Sequence, residues 1–380
     1  MNLNQNEFAH FFSKVFAPTD NDKHIVLLMD LPNAKIPDTA AWQERRKITI
    51  EFHQRLLEIK QKFDFETVEI VYFENSGNNN ADFPKRAYLH DTISANHSVA
   101  DLKMDGAPVL FEEKLAAANI IFAALQFSAT APLKMLAKKY SFRAASMPGF
   151  NRKMLPALKL DFDKVHQQVV KIKERLDAAE AIKMNFLVGN EIYHFFVDTR
   201  HRKGNGSSGL VQEKGTAWNV PSGESYIVPY EGELDEPSKT SGILPVQFKD
   251  EVVLYKIENN RAFEILSQGP RAEEEARLLR EEPAYGNIAE IGFGVLQPFG
   301  VKPIGVVLLD EKLGLHIAFG RSEHFGGATS PASFNNSANV VHIDRIYLPE
   351  MQDQITVKSV IFQFEDGSQE TILADNSYVI

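Results

Sequence analysis

The chain has 380 residues and no cysteine, with 41 lysines and arginines against 51 aspartates and glutamates and a formal charge of −10. Disulfides, thiolate metal sites and cysteine nucleophiles are excluded, so a metal would need imidazole or oxygen ligands, and the acidic balance disfavours a binder of phosphate backbones. A hydrophobic fraction of 44% and a charged fraction of 24% describe an ordinary globular chain, long enough for two domains. The best apolar run, Leu115 to Phe127, is interrupted by Asn119 and Gln126 and falls short of a membrane span. The first residues, MNLNQNEFAHFF, have neither the basic start nor the apolar stretch of a secretory leader. A cytoplasmic protein without nucleic-acid or membrane partners is expected.

Along the chain, KHIVLLMDLP from Lys23 reads as a strand buried on both faces. Ile48, Phe52, Leu56, Ile59 and Phe63 recur at helical spacing within 41–63. TVEIVYF, from Thr67, is strand-like and is followed by the loop SGNNNADFP; NIIFAALQ, from Asn119, is a third buried strand. Thr130, Ala131 and Pro132 then open another helix. Phe162, Val165, Val169, Ile172, Leu176 and Ala179 form an amphipathic helix that marks the boundary. Beyond Ile182 short β-like runs dominate: MNFLVG, EIYHFFVDTR, ESYIVPY, EVVLYKI, AFEILS, IGVVLL, LHIAFG, VVHIDRIYL and SVIFQFE. One charged helix is expected at 271–282, exposed and supported by a Glu273 to Arg277 pair. The predicted fold is an α/β N-terminal domain, 1–180, and a β-rich α+β metal-binding domain, 181–380.

The glycines of GNGSSG, 204–209, match a dinucleotide fingerprint in form only, because no helix pattern follows them to receive a phosphate; the stretch reads as a loop. The preceding TRHRK, 199–203, could steer an anion but reads as solvated. More informative is the C-terminal half. His316, His324 and His342 are three of the 11 histidines, and His342 with Asp344 lie two apart on a strand, so both side chains face one ion. Glu290, set among Ile288, Ala289, Ile291 and Phe293, needs a cation or a partner if it is buried. Glu224 follows a Pro-Ser-Gly turn. Together these residues point to a metal site.

The segments GTAWNVPSGESYIVP, GNIAEIGFG, GLHIAFG and HID, in this order, resemble motifs of the aminopeptidase T family of metallopeptidases. The resemblance implies a metal-dependent aminopeptidase that removes N-terminal residues from peptides through a metal-activated water. It further implies a homodimer with one or two divalent ions per chain, zinc, cobalt or manganese. By motif, Glu224 and Glu290 match the two ligand glutamates, His316 the histidine, and His342 with Asp344 the closing pair, with Glu290 as the bridge. The family's ligand tyrosine has no counterpart: Glu323 stands at its position, followed by His324, so that role is lost or falls to one of these two as ligand or acid/base group. Arg321, beside them, reads as a surface residue. A relative of the same fold, 2,5-dihydroxypyridine dioxygenase, opens an aromatic ring with one iron ion. Here Glu290 or His316 with His342 and Asp344 would supply such a mononuclear Fe(II) site for a small-molecule substrate. A non-catalytic relative is the third reading.

Overall fold

Strands buried on both faces need parallel neighbours and helical crossovers, and the first part of the chain supplies both. The computed structural model describes residues 3–89 and 106–380. It divides into two units, Met1–His166 with Ser207–Ser222, and Gln167–Gly206 with Gly223–Ile380. Mixed α/β content and a β-rich second unit agree with the coarse fold expected.

In the first unit a seven-stranded sheet runs, in spatial order, Thr216–Asn219, Arg143–Ser146, Ile120–Ala123, His24–Leu31, Thr67–Glu74, Arg86–Leu89 and Ala107–Leu110. The first five are mutually parallel and the last two antiparallel. Residues 25–31 are buried throughout, which explains their continuous apolar run. The helix Ala40–Ile59 begins at Thr39, whose hydroxyl accepts from the Trp42 amide. Ile48, Phe52, Leu56 and Ile59 are buried, while Phe63 lies beyond the helix end and stacks on Phe65.

Composition alone concealed the helix Gln5–Phe16. It opens with a capping box between Asn4 and Glu7 and buries Phe8, Phe11, Phe12 and Phe16, all four within 6.4 Å of the Phe122 ring centre. Four short strands of this sheet were also unread: Arg86–Leu89, Ala107–Leu110, Arg143–Ser146 and Thr216–Asn219 have four residues each, too few to show a period.

The helix Phe162–Ala178 buries each of its expected apolar positions and passes directly into the strand Ala179–Val188. In the second unit an eight-stranded antiparallel sheet contains Ala179–Val188, Glu191–Asp198, Ser241–Phe248, Glu251–Glu258, Arg261–Ile265 and Ile355–Phe364. The five-stranded sheet that matters for function runs His342–Ile346, Leu315–Gly320, Ile288–Gly294, Glu224–Ile227 and Asn205–Ser207. Among the described residues no helix is long and apolar enough to cross a membrane.

Three local expectations change. The IGVVLL run is a turn and a short helix, Val307–Asp310, because the Asp310 carboxylate accepts from the amides of Ile304, Gly305 and Val306 and curls the chain. The charged helix spans Pro270–Glu281 and is not wholly exposed: Ala272, Glu275 and Leu279 are buried, and Arg277 pairs with Glu281 rather than Glu273. The glycines of GNGSSG serve packing. A Cβ at Gly204 would lie 2.8 Å from the Leu176 Cβ and 3.1 Å from the Lys173 carbonyl, and one at Gly206 2.9 Å from Val169. Gly204→Ala should therefore lower unfolding free energy by about 1–3 kcal/mol, the usual cost of overpacking, as read by urea denaturation. An unchanged transition midpoint would show that the contact relaxes freely.

Candidate metal centre

Residues directly opposite one another in an antiparallel ladder share a face, and in the five-stranded sheet this collects the donors. Glu224 stands opposite Gly294 and Tyr226 opposite Gly292. Gly292 in turn faces His316, and Glu290 faces Ala318; Ala318 faces Asp344, and Gly320 faces His342. Glu224, Glu290, His316, His342 and Asp344 thus occupy one side, interleaved with glycine and alanine. Ile291, Phe293, Ile317 and Phe319 fill the other side and are buried. The small residues leave room for the donors: a Cβ at Gly292 would fall on the His316 imidazole.

Glu290 is 4% exposed and divides its two oxygens. Oε1 lies 3.4 Å from His316 Nε2, and Oε2 lies 3.5 Å from His342 Nε2. Glu224 Oε2 is 3.5 Å from His316 Nε2, and Asp344 Oδ1 is 3.6 Å from His342 Nε2. Each imidazole turns Nδ1 to the main chain, His342 donating to the Arg321 carbonyl at 2.8 Å and His316 to that of Gly314 at 3.3 Å. Both Nε2 atoms are thereby aimed at the acids. Two donor groups result, Glu224 with Glu290 and His316, and Glu290 with His342 and Asp344; within each, ligand atoms lie within 4.8 Å of one another.

The electrostatics ask for cations. Burial would raise the Glu290 carboxyl, but His316 and His342 outweigh it and hold the group down at about 2. Asp344 is likewise lowered, burial being overcome chiefly by His342. Burial should depress His316, yet Glu290, Glu224 and Asp344 raise it to about 9. His342 is raised well above its ordinary value against burial, by Asp344 and Glu290. Glu224 Oε2 is buried without a hydrogen-bond partner. Two imidazoles and three carboxylates converging on shared space, one oxygen left without a hydrogen bond, fit a divalent ion of the borderline or harder kind.

Residues unread in the sequence surround these donors. Lys312 is buried, its ammonium 2.5 Å from Glu224 Oε1 and also bonded to Glu311. Burial pushes the Glu311 carboxyl up to about 8 against the pull of Lys312. Tyr226 shares the face with Glu224, and its ring meets Phe325 at 5.0 Å. A lysine just before an apolar strand, in DEKLG, was the one available signal; in a sequence it resembles any surface charge.

Glu323 and His324 form a single turn, Glu323–Phe325, closed by Gly326 at φ +99°. The Glu323 carboxylate is held by Arg321 Nε at 2.7 and 2.9 Å, so Arg321 does hold a carboxylate, that of its neighbour. The His324 ring lies 5.2 Å from that of His342 and 4.0 Å from Phe325. Burial, then His342 and Arg321, lower His324 to about 4 and keep it neutral. Glu231 organises this segment: its carboxylate accepts from Ser322 Oγ, from the Ala328 and Thr329 amides at 3.0 and 2.9 Å, from Thr329 Oγ1 at 3.0 Å and from Asn287 Nδ2 at 3.2 Å. Glu282, buried, takes the Asn335 amide at 2.9 Å and the Asn336 amide at 3.3 Å. The stretch TRHRK borders an open cleft of about 830 Å³, where Arg200 pairs with Asp198 and Glu236 and Arg202 donates to the carbonyls of Pro229 and Gly326. Those cations bind the protein itself.

The sequence matches no protein-family model and no curated protein. Two solved structures share the fold over essentially the whole chain. One is 2,5-dihydroxypyridine dioxygenase from Pseudomonas putida KT2440, with TM-score 0.60 and 16% identity, covering 100% of this chain and 98% of that one. The other is wild-type AmpT from Thermus thermophilus, with TM-score 0.55 and 13% identity, covering 99% and 98%. Both are enzymes, of different reaction classes, and at these identities the likeness establishes the fold alone.

Two outcomes follow from the site's charge. In metal-free protein the raised imidazoles add stability that is complete below about pH 6.5 and is lost as pH rises through about 9, the value for His316. Glu311, raised to about 8, acts in the same direction. Thermal melting should therefore fall across this window in chelator-treated protein, and fall less with zinc bound. Zinc binding near neutral pH should release both imidazole protons, seen in calorimetry as heats that vary with the buffer's ionisation enthalpy. Buffer-independent heats would contradict the assignment. Gly292→Ala should displace His316 and weaken metal binding about 10–100-fold, the scale seen when ligand orientation is lost, with far-ultraviolet circular dichroism unchanged.

Proposed function

We propose that the second unit is a metal-dependent hydrolase of aminopeptidase type, built on a carboxylate-bridged pair of divalent-ion sites. The observation that supports this most directly is the division of Glu290, one oxygen toward each imidazole. A carboxylate that belongs to two donor groups at once is the arrangement a two-ion hydrolase needs. Divalent ions held there would polarise a peptide carbonyl and generate hydroxide from water near neutral pH.

The protein's own groups have separate tasks in this reading. Glu290 would serve both ion sites, while Glu224 with His316 and His342 with Asp344 would complete the two sides. The backbone carbonyls of Gly314 and Arg321 hold the imidazole tautomers. His324, neutral and beside His342, accepts a proton from water and returns it to the leaving amine. Glu323, already committed to Arg321, orients the turn.

A second reading has its own observation. Lys312 already pairs with Glu224, which leaves Glu290, His342 and Asp344 as the less encumbered group, and three such donors suit a mononuclear iron site with open positions. The full-length likeness to the dioxygenase is compatible with this reading.

Metal content, substituted variants and substrate assays test the site and separate the readings. Metal analysis of protein purified without added ions should give two ions per chain for the hydrolase, one iron for the dioxygenase and none for a non-catalytic relative. Glu290→Gln should abolish activity and metal content while the fold persists; full retention of both would remove Glu290 from the site. His324→Phe should reduce turnover by about two to four powers of ten, with a smaller loss for Glu323→Gln. Cleavage of a leucyl amide should disappear when the substrate is N-acetylated. Oxygen uptake with a dihydroxylated aromatic ring, without peptide cleavage, would reverse the ranking.

A further inference from the structure

Lys312 has the geometry of a fixed cation rather than a mobile side chain. Its main-chain carbonyl accepts from the Leu296 amide at 2.8 Å, and the adjoining Gly314 carbonyl accepts from Gly294 at 2.9 Å. The 3-10 turn Glu311–Leu313 lies so closely over the strand Ile288–Gly294 that a Cβ on Gly294 would strike the Lys312 and Leu313 backbone. Gly294 is also the residue opposite Glu224 in the ladder. The same contact that fixes the turn therefore delivers the ammonium to the Glu224 carboxylate. Lys312 is 2% exposed, and its ammonium bonds Glu224 Oε1 and Glu311, leaving Glu224 Oε2 buried without a hydrogen bond, with His316 Nε2 at 3.5 Å. No lysine or arginine among the described residues forms a direct ion pair with Glu290 or Asp344, whose close partners are imidazoles; Lys312 acts on Asp344 only through its charge at longer range. Arg345, adjacent in sequence, instead donates to the Tyr285 hydroxyl at 3.1 Å.

We infer that Lys312 is a resident cation of the centre that restricts Glu224 to one free oxygen and opposes an ion at Glu224, Glu290 and His316, so that Glu290, His342 and Asp344 bind their ion first. The reason is electrostatic. A buried ammonium bonded to a ligand carboxylate repels a divalent ion at that carboxylate's other oxygen, where low effective dielectric and poor screening leave the repulsion strong. It also takes up part of the negative charge that would otherwise draw the ion in. In the second donor group no ammonium is bonded to a carboxylate, and Lys312 reaches Asp344 only at longer range. The centre is then asymmetric by construction, with one tight site and one whose occupancy depends on metal supply. The inference rests on the reading of Glu224 and Glu290 as ligands.

Zinc titration of the full chain against a chromophoric chelator tests it, with cobalt absorption as a second monitor of ligand number. Wild-type protein should bind its ions in two steps differing at least tenfold in affinity. Lys312→Met should tighten the weaker step at least tenfold and leave the tighter step within about threefold. Lys312→Gln, whose amide can still bridge the two carboxylates without charge, should do the same and serves if the methionine variant does not fold. Glu224→Gln should abolish the weaker step and spare the tighter one. A wild type that binds one ion, joined by a second in the lysine variants, would support the inference and overturn the two-ion hydrolase. Equal affinities for the two wild-type steps, or a folded lysine variant whose weaker step is unchanged or weakened further, would overturn the inference whatever the enzyme's reaction.

Discussion

Three carboxylates, Glu224, Glu290 and Asp344, stand on one sheet face, Glu224 and Glu290 buried and Asp344 partly so, with little solvent to stabilise their charge, and the rest of the second unit is arranged around that cost. Isolated, each ionised group would be expensive to bury. In the metal-free chain two imidazoles and one lysine carry the compensating charge, which is why both histidines are raised while Glu290 and Asp344 are lowered. Protons on His316 and His342 and divalent ions are alternative solutions to the same electrostatic demand. A site that needs cations so strongly in its resting state is poised to exchange protons for metal.

The sheet meets this demand through register and side-chain size rather than through any unusual backbone. Donors arrive from four strands, and their neighbours on the same face are Gly292, Gly294, Ala318 and Gly320. Larger residues there would push the imidazoles and the Glu311–Leu313 turn off the face. The opposite face carries the apolar residues that hold the strands together, so packing and chemistry alternate along each strand with the two-residue period of β-structure. Stability and ligand geometry are in this way assigned to different sides of the same five strands.

What the sequence revealed follows from that alternation. The pair His342 and Asp344, the placement of Glu290 among apolar residues and the histidine before IAFG each had a local signature, and the structure brings them together with Glu224. The long parallel strands and the two amphipathic helices were legible for the same reason, because their periods extend over many residues. Lys312 and Glu231 were not legible. Their roles arise from contacts across 88 positions in one case and 91 in the other, and nothing in a local window distinguishes a lysine that meets a buried carboxylate from one that meets water. The short strands failed for want of length, and the helix Gln5–Phe16 was hidden because its phenylalanines look like a mere apolar stretch until Phe122 is placed among them.

The segment from Arg321 to Val341 borders the donors without belonging to their sheet. Two enzymes of different chemistry share the fold, so the sheet that holds the donors cannot by itself select a substrate. Here that segment carries the His324 turn against His342, and it is pinned by two carboxylates that accept from its backbone amides: Glu231 at its start and Glu282 near Asn335. Their acceptor bonds replace the regular ladder that an irregular loop lacks, satisfying amides that would otherwise stay unpaired. Anchored at both places, the loop can change in its exposed sequence while His324 keeps its distance from the donors. A tyrosine at position 323 would lose the Arg321 partnership that now orients the turn, and His324 would then be free to move. The placement of His324 beside His342 thus depends on an ion pair lying just outside the donor groups.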